Sequence, residues 1–281
     1  MEGRVCVITG ASSGIGRAAA LDLAALGARV VIVARDPGRG AAARDEVAAA
    51  TGRRDVALEI ADLRSQREVR DLAGRLLAAE AAIHVLVNNA GLTLSERRLT
   101  EDGLEETFAV NHLAPFLLTG LLLDRLRASA PARVVTVASA AHRAAVIPFD
   151  DLNGERGFSG WRAYGWTKLA NILFTAELAR RLDGSGVTAT CLHPGVVATG
   201  FAREGPLLVR EFQRRLGRHL LLDPKRGADT LVWLAASAEV EGASGGYYAN
   251  RRPVTPAKAA RDAAAARRLW EISERLTGLA G

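Results

Sequence analysis

The chain has 281 residues, of which 49% are hydrophobic and 24% are charged, and its formal net charge is +6. These values are close to the globular average and exclude a disordered chain, a collagen and a disulfide-rich miniature protein. Acidic residues are interleaved with the basic ones, so the continuous positive stripe that a nucleic-acid partner needs is not expected.

The two cysteines, Cys6 and Cys191, each lie inside an apolar run, where a small buried thiol is expected rather than a disulfide. The histidines show no metal-ligand spacing. The first strand-like run begins at Arg4, which leaves no room for a signal peptide, and no apolar stretch reaches the ~20 residues of a membrane span. We therefore expect a cytoplasmic protein with no metal site, no membrane span and no nucleic-acid partner.

Short apolar runs alternate with helical stretches along the chain. The predicted strands cover residues 5–8, 30–33, 56–60, 85–87, 134–137, 187–192 and 246–248. The predicted helices cover residues 15–26, 41–50, 65–81, 104–127, 164–182 and 225–236. Nearly continuous apolar strands are typical of a parallel sheet buried on both faces. The order predicts an α/β fold, a doubly wound Rossmann-type parallel sheet of seven strands with helices on both faces, as one domain over residues 1–281.

A glycine-rich turn lies between the first strand and the first helix. Gly10 permits a tight turn, Gly14 lets backbone approach a pyrophosphate, and Gly16 allows close packing of helix and strand. The N-terminus of the helix offers unpaired N–H groups and its positive dipole end to phosphates. A flexible loop is the alternative interpretation, but the strand–turn–helix context favours a dinucleotide site. The residues predicted to form it are Gly10, Ser12, Ser13, Gly14, Ile15 and Gly16.

The end of the second strand reads Ala34-Arg35-Asp36 and bears on the choice of cofactor. An acid at this place bonds the ribose 2′-hydroxyl of NAD, whereas an arginine accommodates the 2′-phosphate of NADP. Arg35 follows the apolar run directly and could make a forked, charge-assisted contact to a phosphate. We therefore favour NADP(H) over NAD(H). Two alternatives stay open, namely that Arg35 is a surface residue paired with Asp36, and that Asp36 holds the ribose of NAD.

Tyr164 and Lys168 are spaced i, i+4 in a predicted helix, so they lie on one face of it. A phenol is a poor proton donor or acceptor at neutral pH because its pKa is near 10, and a nearby ammonium brings that pKa toward the working range. Ser139 follows the fifth predicted strand, at the sheet edge where open α/β folds bind ligands. The three residues together predict proton-transfer chemistry at that edge.

With these motifs the chain resembles the short-chain dehydrogenase/reductase family over nearly its whole length. The resemblance rests on Thr9-Gly10 with Gly14 and Gly16, Asn88-Asn89-Ala90-Gly91, Asn111, Ser139, Tyr164 with Lys168, and Pro194-Gly195. It implies that Tyr164 is the general acid in carbonyl reduction and the base in alcohol oxidation, and that Lys168 also holds the nicotinamide ribose. It further implies that Ser139 positions the substrate oxygen and that Asn111 holds a water in a proton relay. The further cofactor contacts it implies are Asp62, Leu63, Asn89, Ala90, Gly91, Pro194, Gly195, Val197 and Thr199.

The 25 positions from Ser139 to Tyr164, and the segments 169–174 and 242–248, are similar to the retinol dehydrogenase-like branch of that family. This similarity implies NADP(H)-dependent chemistry on apolar aldehydes, ketones and alcohols. The arginine- and alanine-rich composition suggests a bacterial member. Thr167 departs from the serine often found before the lysine.

Residues 196–222 are expected to form a substrate lid, and residues 256–277 a C-terminal helix. Within the lid, Leu208 and Phe212 begin an amphipathic stretch over residues 207–220 that could instead lie on an anionic membrane surface. Relatives pair through the helices that carry Asn111 and Tyr164, which implies a homodimer or homotetramer here.

Two other functions remain open, the reduction of a carrier-bound 3-oxoacyl or polyketide intermediate and a non-catalytic NADP(H)-binding sensor or interaction protein. The intact set of Asn111, Ser139, Tyr164 and Lys168 argues against the sensor. His142 and His193 lie beside the predicted site, where we expect them to be hydrogen-bonded structural residues.

Overall fold

The computed structural model describes residues 1–195 and 223–279. Within these residues one sheet has the strand order β3-β2-β1-β4-β5-β6-β7-β8. The strands are β1 Val5–Thr9, β2 Arg29–Ala34, β3 Ala57–Ile60, β4 Val85–Asn88, β5 Ala132–Val137, β6 Val187–Leu192, β7 Tyr247–Ala249 and β8 Arg252–Pro253. Neighbouring strands from β3 to β7 pair in parallel, which confirms the doubly wound α/β fold.

The predicted number of seven strands is wrong, since the described residues form eight. The additional strand, β8, pairs antiparallel with β7 and has only two residues, too few to leave a periodic pattern in the sequence. Asn250 and Arg251 join the two strands with φ of 49° and 55°. Positive φ at both central residues is what a tight two-residue hairpin turn requires.

Seven longer helices lie in the described residues. They are α1 Gly14–Ala25, α2 Pro37–Thr51, α3 Gln66–Ala79, α4 Glu106–Ala128, α5 Gly160–Arg181, α6 Pro224–Ala236 and α7 Ala263–Thr277. Helix α2 begins four residues before the predicted start because Pro37 fits the first helical position and Asp36 caps it. Helix α5 begins four residues before Tyr164, at Gly160, so Tyr164 lies one turn inside the helix. The C-terminal helix starts later than the predicted residue 256, after a short 3₁₀ turn at Lys258–Arg261.

The sheet is covered on both faces. On one face α1 and α6 bury Leu23 and Leu231 against Ile32, and on the other α3 and α4 bury Leu72 and Leu117. A third cluster packs α4 and α5 under the C-terminal helix and includes Phe108, Trp166 and Leu269. Because helices flank both faces, the central strands of the sheet are buried along most of their length, and the free edge for ligands is at their carboxyl ends.

Helix α4 corrects the expectation that no apolar segment is long enough to cross a membrane. Its 23 residues include a stretch of mean hydropathy 1.3 with the length and composition of a span. However, 83% of that stretch is buried inside the fold. Burial between the sheet and α7 accounts for the apolar composition, since a helix covered on most sides needs apolar residues on most sides.

Candidate active site

The strand order reverses between β1 and β4, and open α/β sheets bind ligands at such a point. The glycine-rich turn after β1 lies here, next to the loop after β4. Thr9 joins the two, because its Oγ1 accepts hydrogen bonds from the backbone N–H groups of Asn89 (3.0 Å) and Ala90 (3.1 Å). The Asn89 side chain donates in return to the backbone oxygens of Thr9 (2.8 Å) and Gly10 (3.2 Å). Asn89 therefore holds the turn in place from behind.

The turn has no space for side chains where it meets this loop. A Cβ on Gly10, which has φ of +68°, would lie 2.8 Å from the Ala90 Cα. A Cβ on Gly16 would lie 2.5 Å from the Asn89 side-chain nitrogen and 2.6 Å from the Gly10 oxygen. Glycine at both places lets backbone pack on backbone, so the start of α1 sits directly above the sheet edge.

The N-terminus of α1 fits a pyrophosphate. Ser13 is the N-cap residue, and its side chain makes no capping hydrogen bond, so the first amides of the 12-residue helix have no side-chain acceptor from that residue. Ser12, Gly14 and Ile15 are half-buried around them. Backbone N–H groups and a positive helix dipole end are the donors that phosphates prefer. These residues are thus suited to hold the pyrophosphate of a dinucleotide.

Arg35 and Asp36 are both exposed at the carboxyl end of β2, but only Asp36 has a role inside the fold. The Asp36 Oδ1 accepts the backbone N–H of Arg39 at 2.7 Å and so caps α2. The positive charge of Arg35 is close enough to help lower the pKa of Asp62, whose carboxyl group is itself partly buried. Arg35 therefore lies between the ends of β2 and β3, on the side of the sheet edge where an adenosine ribose would sit.

We expect Asp36→Ala to lower the free energy of unfolding by about 1 kcal/mol, because the N-cap of α2 is lost. Asp36→Asn keeps an oxygen acceptor in the same position and should be nearly neutral for stability. Urea unfolding measures both variants, and titration with NADH and NADPH provides the functional control. Weaker NADH binding by Asp36→Asn, with an unchanged unfolding curve, would assign Asp36 to the ribose instead of to the helix.

Asp62 and Leu63 follow β3 on the same edge. The Asp62 carboxylate receives three hydrogen bonds from the Arg64 guanidinium, at 3.0, 2.9 and 2.5 Å, and a fourth from the Arg64 backbone N–H at 3.0 Å. Leu63 is half-buried and packs against the core. The predicted cofactor contact at Asp62 would therefore have to share a carboxylate that Arg64 already holds.

Ser139 lies just past the end of β5 and starts a 3₁₀ turn at Ala140–Ala144. Its Oγ accepts the backbone N–H of Ala141 at 3.2 Å. The same hydroxyl shares a hydrogen bond with the Tyr164 side chain. Because Ser139 Oγ accepts the Ala141 N–H, the hydroxyl keeps its own proton for donation within the site.

Tyr164 and Lys168 lie on one face of α5, as their spacing predicts. The Lys168 Nζ is 5.7 Å from the centre of the Tyr164 ring and donates to the Val137 backbone oxygen at 2.9 Å. Only 3% of Lys168 is exposed. A Cβ on Gly91 would lie 3.3 Å from this Nζ and 3.2 Å from the Asn111 Oδ1. Gly91 thus leaves a space beside the ammonium, which has further N–H donors for the hydroxyls of a bound ribose.

The protonation of the pair differs from the expectation that Lys168 brings the Tyr164 pKa down. Burial raises the pKa of Tyr164 to about 12, and only the hydrogen bond with Ser139 opposes that shift. Burial also lowers the pKa of Lys168 to about 8. Burial is the leading cause of both shifts, because it disfavours the charged form of each group. At pH 7 the site therefore holds a protonated phenol next to a protonated amine.

Asn111 occupies a π turn, Ala109–Leu113, inside α4. Its side chain is wholly buried and fully used: Oδ1 accepts the Leu92 N–H at 2.8 Å, and Nδ2 donates to the Leu92 oxygen and to the Thr167 Oγ1 at 3.0 Å and 3.1 Å. Thr167 Oγ1 in turn donates to the Tyr164 backbone oxygen at 2.9 Å. Asn111 is therefore tied to the loop after β4 and, through Thr167, to the turn of α5 that carries Tyr164.

The remaining predicted contacts lie at the end of the first described range. Pro194 and Gly195 follow β6 at the same sheet edge, and the Gly195 N–H donates to His193 Nδ1 at 3.3 Å. Val197, Thr199, the expected lid at 196–222 and its amphipathic stretch at 207–220 lie outside the described residues.

The sequence does not predict the features of this site that position other side chains, namely the Thr167 hydroxyl and the π turn in α4. Thr167 was noted only as a departure from the family pattern, although its hydroxyl bridges Asn111 and Tyr164. The π turn was missed because residues 104–127 read as one regular helix. A signal for it exists in Pro115, which has no N–H to donate to the Asn111 carbonyl four residues earlier.

Comparisons with known proteins find relatives of similar sequence and fold over nearly the whole chain. The family model described as short chain dehydrogenase matches residues 4–206. Mouse retinol dehydrogenase 12 is 43% identical over 279 residues, which cover 99% of this chain and 88% of the relative. An uncharacterised protein from Mycobacterium paratuberculosis has a crystal structure similar over 99% of this chain and 94% of its own, with a TM-score of 0.79 and 35% identity. The Pseudomonas aeruginosa RhlG structure, an active-site complex with NADP, matches 88% of this chain and 94% of its own at a TM-score of 0.71 and 28% identity.

Proposed function

The chain belongs to the short-chain dehydrogenase family of oxidoreductases, which act on CH–OH and C=O groups, and from this premise we propose that it reduces apolar aldehydes or ketones with NADPH. The observation that carries the proposal is the joint position of Ser139, Tyr164 and Lys168 at the carboxyl end of β5. A hydroxyl that can donate, a phenol and a buried ammonium meet there, beside a glycine turn suited to a dinucleotide.

The protein residues have distinct roles in this reaction. Ser139 and Tyr164 donate hydrogen bonds to the carbonyl oxygen of the substrate and orient its carbon toward the cofactor. As negative charge develops on that oxygen, Tyr164 gives up its proton as the general acid. The hydrogen bond with Ser139 stabilises the resulting phenolate, and the Lys168 ammonium would hold the ribose hydroxyls beside Gly91. A bound nicotinamide supplies or accepts the hydride, which is chemistry that no side chain provides.

A water that returns protons to the site would be held by the backbone carbonyl of Asn111 and not by its side chain. The side chain already makes three hydrogen bonds, to Leu92 and Thr167. Its backbone carbonyl lacks the α-helical donor four residues on, because that residue is Pro115. A water bound at this carbonyl would connect the site to solvent without loosening the bonds that hold the loop after β4.

The protonation state of Tyr164 fits its role in reduction. A pKa of about 12 keeps the phenol protonated at neutral pH, as a general acid has to be before it donates. The Lys168 pKa of about 8 means that its positive charge is lost as the pH rises through that value, so the rate of reduction should fall there.

The apolar nature of the substrate is supported by the surroundings of Tyr164. Trp161 lies one turn before it in α5, with ring centres 6.0 Å apart, and is 50% exposed. A half-exposed tryptophan beside the reacting phenol provides an apolar wall for a hydrocarbon group. The name of the mouse relative, a retinol dehydrogenase, points to the same class of substrate.

A titration of the purified protein with NADPH and NADH, followed by a panel of apolar aldehydes and ketones, tests the proposal. We expect tight NADPH binding, weaker NADH binding and turnover of at least one panel member. NADPH binding without turnover of the panel, but with activity on carrier-bound 3-oxoacyl thioesters, would replace the substrate class. Binding with no turnover of either class would indicate the non-catalytic sensor.

A further inference from the structure

His142 lies in the 3₁₀ turn that begins at Ser139 and is wholly buried. Its Nδ1 is 2.7 Å from the Ser139 backbone oxygen, and its Nε2 is 3.2 Å from the backbone nitrogen of Ala257. A carbonyl only accepts and an amide N–H only donates, so Nδ1 carries the proton and Nε2 has the lone pair. Both hydrogen bonds require the neutral ring in this one tautomer.

The ring of His142 is also fixed by its neighbours. Tyr247 packs edge-on against it with ring centres 5.1 Å apart, and His193 packs on the other side of Tyr247 at 5.7 Å. Among the described residues, the titratable and charged groups that face His142 are Arg143 on its own turn, Tyr247 on β7 and His193 after β6. Burial, supported by the charge of Arg143, lowers the pKa of His142 below its usual range and so keeps it neutral at pH 7.

A second buried histidine, His112, links the helix that carries Asn111, α4, to the C-terminal helix α7. His112 follows Asn111 in the π turn, and its Nε2 is 2.9 Å from the Ser273 Oγ. On its other side, the His112 Nδ1 is 3.4 Å from the Asn171 Oδ1, so the ring joins the π turn to α5 as well as to the C-terminal helix. Burial lowers the pKa of His112 to about 4, and this ring is neutral as well.

Ala257 and Ser273 belong to one segment, residues 254–277, which ends in α7. We propose that this C-terminal segment positions Ser139 and Asn111 by means of two buried neutral histidines, His142 and His112. The histidines are positioning residues, since neither is in the set that touches substrate or cofactor. The proposal rests on the proposed function only in taking Ser139 and Asn111 as site residues.

The link to Ser139 explains why this turn uses a histidine. The Ala141 N–H fixes the Ser139 Oγ, and the peptide bond between Ser139 and Ala140 helps to orient that N–H. The His142 ring holds the Ser139 carbonyl oxygen of this peptide bond and connects it to residue 257, more than 100 positions away in sequence. Protonation of Nε2 at low pH would place two N–H groups against each other and release the C-terminal segment from the turn.

Nitrogen NMR of the imidazoles tests the tautomers without any need for activity. We expect a neutral ring at pH 7 in both histidines, with the proton on Nδ1 in His142, each signal assigned by substitution of that histidine. A proton on Nε2 of His142, or a charged His142 at pH 7, would overturn the proposal.

Kinetics test the positioning role in an enzyme whose wild-type turnover has first been established. His142→Asn keeps a donor for Ser139 but does not reach Ala257, and we expect about a 10-fold lower kcat with NADPH affinity unchanged. The fall in wild-type kcat on the acid side, as His142 gains its proton, should be absent in this variant. Ser273→Ala should lower kcat in the same way from the other end of the segment.

His84→Asn is the matched control. His84 also accepts a backbone N–H, from Val5 at 3.0 Å, but lies at the opposite end of the strands. This variant should lose stability without a change in kcat or in its pH profile. A His142→Asn variant that loses only thermal stability, with kcat and the acid limb intact, would show that His142 is merely structural. Absence of wild-type turnover would refute the proposed function and leave the NMR result to decide the inference.

Discussion

Tyr164→Phe should lower kcat for carbonyl reduction by about 10²- to 10⁴-fold, the range that a positioned general acid contributes. The substitution removes one hydroxyl and leaves the ring next to Lys168 and Trp161 in place. Because Lys168 and the glycine turn remain, the Kd for NADPH should change by no more than about twofold. Stopped-flow or steady-state assays with saturating NADPH give kcat, and fluorescence titration gives Kd.

Tyr248→Phe serves as the control for this experiment. Tyr248 is a buried tyrosine of β7 that packs against Trp233 of α6. Its hydroxyl has no part in the proposed chemistry, so kcat should remain at the wild-type value. Substantial reduction by Tyr164→Phe, at a rate near that of Tyr248→Phe, would remove Tyr164 from the mechanism.

Arg35→Ala should weaken NADPH binding by about 10- to 100-fold and leave NADH binding unchanged. The expected loss corresponds to one charge-assisted contact of about 1.5–3 kcal/mol with the 2′-phosphate, the group that NADH lacks. Since Arg35 is exposed at the end of β2, its removal should not change the unfolding curve. Titration with both cofactors measures the ratio of affinities directly.

Arg44→Ala provides the comparison, because Arg44 is an exposed arginine of α2 whose ion-pair partner is the neighbouring Asp45. It tests whether loss of any positive charge on this side of the protein weakens NADPH binding. Equal effects from the two substitutions would mean that Arg35 contributes only to the general charge. An equal loss of NADH and NADPH affinity in Arg35→Ala would indicate that Arg35 contacts a part of the cofactor that NADH and NADPH have in common.

The fold could be predicted in its main features because its signals are local. Each strand of the parallel sheet is an apolar run, and each helix has a length and a start that short segments determine. The short strand β8 could not be predicted, since the two residues Arg252 and Pro253 pair only because the turn at Asn250 brings them back along β7.

For the candidate site too, local sequence patterns predict some features and not others. Tyr164 and Lys168 could be placed together from their spacing in one helix, and Ser139 from its position at the end of a strand. The pKa values of the pair could not be predicted, because they depend on how deeply the two side chains are buried and, for Tyr164, on the hydrogen bond with Ser139. The contacts between the C-terminal segment and the two histidines join residues far apart in sequence, and no local pattern announces them.

The two ends of the sheet have a consequence for how copies of the chain can associate. An outer strand with unpaired backbone groups is a template on which another chain can add a strand. Here β8 is only two residues long and includes Pro253, which has no N–H to offer. At the opposite edge, the Arg75 side chain occupies the Ile60 oxygen of β3 at 2.8 Å and the Glu59 carboxylate at 2.7 Å. Within the described residues, both margins of the sheet thus offer a second chain few free backbone groups, which favours contacts through helices and loops when copies of the protein associate.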